Sequence, residues 1–329
     1  MGRFVLPLLA ALLSLGVFAS PAQAKETPAY LALGDSIAFG VGASQPGSQG
    51  YVALTFDALR RSERYEERGL ELVNLSVPGA TSADLLLPGG QVDRAIDEIK
   101  ARVEDESSQD DNVEIISIDI GGNDLIALAS GDSPCRVDPL GGGCQQRFQE
   151  MQTTVRTNLT EAAKRLTKAA PRADLTIVGL YNPYSGTGTS LEVPADIAVQ
   201  QLNSVFAGVA GDPDIEAKTA DVFDLFRGRA GTLIAADGLH PNDDGHAVIA
   251  EVLLAAIEGR APDVPADLLG GASPTATGSA PAADPPAQSE TSGNDNNDEI
   301  IVLLLIAIPA AFFSGGIITG AYLLARGRR

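Results

Sequence analysis

Histidine is nearly absent, with His240 and His246 the only two in a chain of 329 residues. That scarcity leaves no paired-histidine metal motif and only two candidates for an imidazole base. Cysteine is equally rare. Cys135 and Cys144 have no third cysteine or histidine near them in the chain, which argues against a structural zinc site. Basic residues are outnumbered, with 23 Lys and Arg against 43 Asp and Glu and a formal charge of -20. A surface of that sign repels nucleic acid and anionic membrane surfaces, so neither is expected as a partner. There is no phosphate-cradling glycine loop and no GxGxxG after an apolar run, so no nucleotide or metal cofactor is expected.

The two ends of the chain are distinctive. Residues 1–24 read as a secretory signal, with Arg3, an apolar stretch from Phe4 to Phe18, and the small-x-small site Ala22-Gln23-Ala24 before Lys25. Residues 300–325 carry no charge and are long enough to cross a hydrocarbon core of ~30 Å. Asp295, Asp298 and Glu299 precede that segment, while Arg326, Arg328 and Arg329 follow it. The charge asymmetry predicts a cytoplasmic tail at 326–329 and a domain outside the cell membrane, held by a single-pass anchor. Between domain and anchor, residues 269–299 are rich in Ala, Pro, Ser, Thr, Gly and Asn, with too little apolar surface to fold, and are expected to form a disordered linker. One domain remains, at 25–268. Because an exported chain meets an oxidising compartment, Cys135 and Cys144 are expected to pair. Such a bridge would contribute ~2.5 to 3 kcal/mol in the chain-entropy account.

Within the domain, short apolar runs rich in β-branched residues alternate with longer amphipathic stretches. Strands are expected at 29–33, 71–75, 113–120, 174–180 and, more weakly, 217–222. Helices are expected at 51–61, 92–103, 148–169, 195–209 and 245–258. The alternation predicts an α/β fold, a parallel sheet covered on both faces. Ligands bind such sheets beyond the carboxyl ends of the strands, which makes the residues that follow each strand the ones to inspect.

The first strand runs into Gly34-Asp35-Ser36, the second into Val77-Pro78-Gly79-Ala80, and the third into Gly121-Gly122-Asn123-Asp124. Asp237-Gly238-Leu239-His240-Pro241 precedes the last helix. A serine hydroxyl is a poor nucleophile near neutral pH, so it must pass its proton to an imidazole as it attacks. Of the two histidines, only His240 has an acid three residues before it, Asp237, and a proline after it. The backbone N–H groups of Ser36 and Gly79 and the side-chain amide of Asn123 are candidate donors to the oxyanion of a tetrahedral intermediate. Asp35, Asn74 and Asp124 are expected to order these loops, and His246 to be a structural or surface residue of the last helix.

These four blocks, in this order between Leu31 and Asn242, resemble the GDSL, or SGNH, hydrolases. Ile37 stands where the family name has leucine, a conservative apolar change. The resemblance implies a three-layer α/β/α flavodoxin-like sandwich with a five-stranded parallel sheet in the order 2-1-3-4-5. It also implies Ser36 as nucleophile, Gly79 and Asn123 in the oxyanion hole, and Asp237 and His240 completing the triad. The expected activity is cleavage of carboxylic esters, with short acyl esters, lysophospholipids and acetylated sugars all within reach of the same site. Two other readings use the same residues: a tethered binding module without turnover, and acyl transfer to a surface glycan.

Overall fold

The computed structural model describes residues 27–104 and 112–269. The expected signal at 1–24, the linker beyond Leu269, the apolar segment at 300–325 and the tail at 326–329 lie outside them. Among the described residues no helix is long and apolar enough to cross a membrane.

Five parallel strands form one sheet: β1 Ala29–Gly34, β2 Glu71–Asn74, β3 Val113–Asp119, β4 Asp174–Val178 and β5 Lys218–Ala220. Their order is β2-β1-β3-β4-β5. Every residue of β1 is buried, as expected of a central strand covered on both faces. Its period of two divides the core. Leu31 and Leu33, with Ile116 and Ile118 of β3, pack against the helices Gln91–Glu104, Gly142–Ala169 and Glu192–Ala210. Tyr30 and Ala32, with Ile115, face the helices Tyr51–Arg60 and Asp243–Glu258. The result is the three-layer sandwich expected from the sequence.

This order places a topological switch between β1 and β3. From β1 the chain moves outward to β2, then returns to the other side of β1 as β3. The loops leaving β1 and β3 therefore diverge and open a crevice at the carboxyl edge. Ser36 lies on one loop and Asn123 on the other.

The helix expected from residue 148 begins at Gly142. Glycine is a poor helix former, so Gly142 and Gly143 read as loop. They occupy the first turn, however, where backbone N–H groups have no intrahelical acceptor to lose. Cys144 in that turn is bonded to Cys135 in the short helix Pro134–Val137, confirming the expected disulfide. A further short helix, Gly122–Leu128, has only seven residues and was too brief to show a helical period.

Candidate active site

Ser36 opens a single helical turn, Ser36–Phe39, directly after β1. Asp35 caps the turn by accepting the Ile37 N–H at 3.0 Å, and Gly40 closes it in the left-handed conformation. The turn lifts the Ser36 hydroxyl to the crevice edge. Its Oγ lies 2.9 Å from His240 Nε2, across 204 residues of sequence. The other ring nitrogen, Nδ1, is 2.6 Å from Asp237 Oδ2.

Asp237 also orders its own loop, since its Oδ1 accepts the N–H groups of Leu239 and His240 at 2.9 and 3.0 Å. Partial burial pushes the Asp237 carboxyl up. The Leu239 N–H, the His240 ring and the His240 N–H outweigh that push and hold it below the usual carboxylate range. An ionised carboxylate only accepts, so Nδ1 must carry the proton, and the Nε2 lone pair faces Ser36 Oγ. Gly42 lets the loop after Ser36 pass close to this arrangement, because a Cβ there would run into the Pro241 carbonyl.

The candidate oxyanion donors are the N–H groups of Ser36 and Gly79 and the side-chain amide of Asn123. Gly79 has φ +83°, with open space where a Cβ would be, so its turn presents bare backbone. Among the described residues no acceptor is found for the N–H of Ser36 or of Gly79. Asn123 Nδ2 donates to the Ala80 carbonyl at 2.9 Å and makes a longer contact of 3.3 Å to Asp35 Oδ2. Both N–H groups of the amide thus have a partner, and the longer contact to Asp35 is the one an oxyanion would compete for.

The loop-ordering residues behave as expected. Asn74 Oδ1 accepts from Ser76 N–H and Oγ, and its Nδ2 reaches the Ala38 carbonyl. Asp124 accepts the N–H and hydroxyl of Ser82 at 2.8 and 2.7 Å. His246 lies apart from the Ser36 hydroxyl and is fully buried. Its Nδ1 accepts the Tyr51 N–H at 3.2 Å and its Nε2 faces the Val41 carbonyl at 3.0 Å.

Two supports escaped the sequence reading. Gln91, 2 % exposed at the start of its helix, reaches Gly34 with both ends of its carboxamide. Asp243 accepts the N–H and hydroxyl of Ser44, both at 2.7 Å, tying the loop after the serine turn to the last helix. In sequence both read as polar helix-start residues. A reach over 57 or 199 positions leaves no local signal.

Residues 32–248 match the GDSL-like lipase/acylhydrolase family. No curated protein sequence matches the chain. Among solved structures, the lipase Lip_vut3 from a goat rumen metagenome is similar at a TM-score of 0.53 and 21% identity, covering 70% of this chain and 97% of its own. An extracellular lipase from Streptomyces rimosus is similar at a TM-score of 0.50 and 21% identity, covering 70% of this chain and 100% of its own. At that identity the likeness establishes the shared fold. With a family match over most of the folded domain, the chain belongs to the GDSL-like lipases and acylhydrolases.

Proposed function

We propose that this chain is a secreted, membrane-tethered serine ester hydrolase working through an acyl-enzyme on Ser36. The observation that carries the reading is the continuous relay from Ser36 Oγ through the His240 ring to the Asp237 carboxylate. As Ser36 Oγ attacks the ester carbonyl carbon, His240 Nε2 takes its proton. The charge on the carbonyl oxygen then falls among the Ser36 and Gly79 N–H groups and the second N–H of Asn123. Fixed donors of this kind stabilise the transition state, and loss of one typically costs ~10²- to 10³-fold in turnover. Collapse of the intermediate breaks the carbon–oxygen bond, and His240 returns the proton to the departing alcohol. Water, deprotonated by the same ring, then attacks the acyl-enzyme and releases the acid. Throughout, Asp237 holds the imidazole's orientation and offsets its charge.

Replacing Ser36 with alanine should abolish p-nitrophenyl ester turnover, and substantial residual turnover would sink the mechanism. A fluorophosphonate probe should label Ser36 in the native chain. A silent site would instead favour a binding module. Product analysis with a sugar acceptor present separates hydrolysis from acyl transfer, since only transfer yields the acylated sugar.

The placement outside the cell rests on residues 1–24 and on the uncharged segment 300–325 with its following arginines. Intact cells expressing the full chain should carry the domain in the membrane fraction and lose it to added protease. Recovery in the cytosol, protected from protease, would overturn that placement.

A further inference from the structure

Beside the serine lies an apolar groove of about 460 Å³. Ser36, Asp237 and His240 do not line it, yet Ile37, Gly122 and Leu239 do, and each is the chain neighbour of Ser36, Asn123 or His240. From there the groove runs between the helix Gly122–Leu128, with Leu125 and Ile126, and the first turns of the helix Glu192–Ala210, with Ala195 and Ala198. Cys135, Cys144 and Phe148 complete its lining on the disulfide side. Leu140 and Ile197, two of its lining residues, are 54% and 43% exposed. Large apolar side chains left in water around a concave apolar surface mark a binding site.

The wall on the disulfide side has a weak attachment. Every hydrogen bond described for residues 133–141 stays within 130–145. Beyond the four connecting residues 138–141, the bond between Cys135 and Cys144 is a second covalent tie between the short helix Pro134–Val137 and the long helix Gly142–Ala169.

We propose that this groove takes the linear acyl chain of a medium- to long-chain ester, and that the Cys135–Cys144 bridge sets its width and hence the chain-length preference. The proposal rests on the reading of Ser36 as nucleophile. The acyl arm is the one assigned because two of the three site neighbours in the lining, Ile37 and Gly122, flank Ser36 and Asn123. Ser36 and Asn123 hold the acyl carbon and its oxygen in both half-reactions, whereas the alcohol departs after the first. An acetyl group would leave the groove wet. Each methylene drawn from water into it favours binding by a factor of about four, so selectivity grows with length until the groove is full.

The test is a p-nitrophenyl ester series from acetyl to dodecanoyl on the full chain, beside a series of alkyl acetates. The expected result is a kcat/KM that rises at least ~30-fold from acetyl to octanoyl, with little response to alkyl length in the acetates. Ala198→Trp, which plugs the groove, should erase the rise in a chain whose urea unfolding shows it folded. The double variant Cys135→Ser with Cys144→Ser should flatten the preference in the same way. A best rate on acetate, a preference that follows the alkyl arm, or a long-chain preference that survives the plug would each overturn the assignment. Binding of the fluorescent fatty acid cis-parinaric acid to the Ser36→Ala chain gives a readout without turnover. If that acid binds and Ala198→Trp removes it while no ester is cleaved by the native chain, the catalytic reading fails and the groove assignment stands. If esters are cleaved but the acid does not bind, the groove assignment fails alone.

Discussion

The side chain of Gln91 pairs with Gly34 as one peptide pairs with another: Oε1 accepts the Gly34 N–H at 2.7 Å and Nε2 donates to the Gly34 carbonyl at 2.8 Å. Gly34 is the last residue of β1 and lies two before Ser36. The helix Gln91–Glu104 thereby holds the end of the strand on which the nucleophile turn is built. Gln91→Leu keeps much of the volume and removes both partners, leaving the buried Gly34 N–H unsatisfied. The expected loss is about 1–3 kcal/mol of stability, read as a lower urea midpoint at unchanged m. Turnover should fall as well, with kcat affected more than KM, because the substrate pocket is left while the nucleophile is misplaced. A variant with native kcat would show that Gly34 needs no clamp.

Asp237→Asn tests the carboxylate without changing its shape. An asparagine amide facing Nδ1 can donate, which stabilises the tautomer whose proton sits on Nε2 and points at Ser36. Turnover should drop by ~10³- to 10⁴-fold, while unfolding shows a folded protein. A loss below tenfold would mean that the His240 ring needs no partner for its tautomer.

The residues that meet at the crevice were legible because chemistry restricts their types and their places. With two histidines in the chain, an acid three positions before one of them and a serine at a strand end, few alternatives remained. The sheet was legible for a related reason: β1 is an unbroken apolar run, as a strand buried on both faces must be, and β3 carries Val113, Ile115, Ile116 and Ile118. The order of the strands is a different matter, since no local pattern carries it, and it came through the family resemblance. Gln91 stayed hidden because its contact reaches back 57 positions to the end of β1, and a glutamine at a helix start is usually solvated. The start of the helix Gly142–Ala169 was misplaced because propensity counts glycine against a helix even in its first turn. Asn123 was found by its motif, yet its division between Ala80 and Asp35 is a property of three loops together.

Asp35 gives the stability an unusual dependence on pH. Burial drives its carboxyl up to about 7, against the Ile37 N–H that draws it down, and the charge of Asp124 adds to the rise. In the unfolded chain an aspartic acid releases its proton near ~3.9. Between those values the unfolded state loses the proton while the folded state keeps it. The contribution is therefore full below about 4 and is lost as pH rises through about 7. Asp119, whose carbonyl accepts the Asp35 N–H at 3.1 Å, is likewise raised by burial and by the charge of Asp35, so it acts with the same sign. Asp35→Asn cannot titrate. In urea unfolding it should compare more favourably with the native chain at pH 8 than at pH 5. Parallel pH curves for the two proteins would count against a buried neutral Asp35.

His246 acts with the opposite sign. Its Nδ1 accepts the Tyr51 N–H, so it must be unprotonated there, and the proton on Nε2 is donated to the Val41 carbonyl. Burial pushes its pKa down to about 4, although the Val41 carbonyl and the Asp243 carboxylate pull the other way. In the unfolded chain the imidazole titrates near ~6.5. As pH falls from there toward 4, the unfolded state takes up a proton that the folded state refuses. The contribution is full above 6.5 and lost below, on the order of 3 kcal/mol across the window. Protonation would also break the Tyr51 bond, while the Nε2–H bond to the Val41 carbonyl, in the loop that follows Ser36, would persist. His246→Gln retains a carbonyl and an amide but cannot charge. It should be less stable than the native chain at pH 7 and lose less on acidification to pH 4.5, by thermal melting or urea midpoint. Relative to the native chain, the difference curves for His246→Gln and Asp35→Asn then slope in opposite directions between pH 4.5 and 6.5. A single shared slope would show that neither residue, but a common group elsewhere, governs the titration.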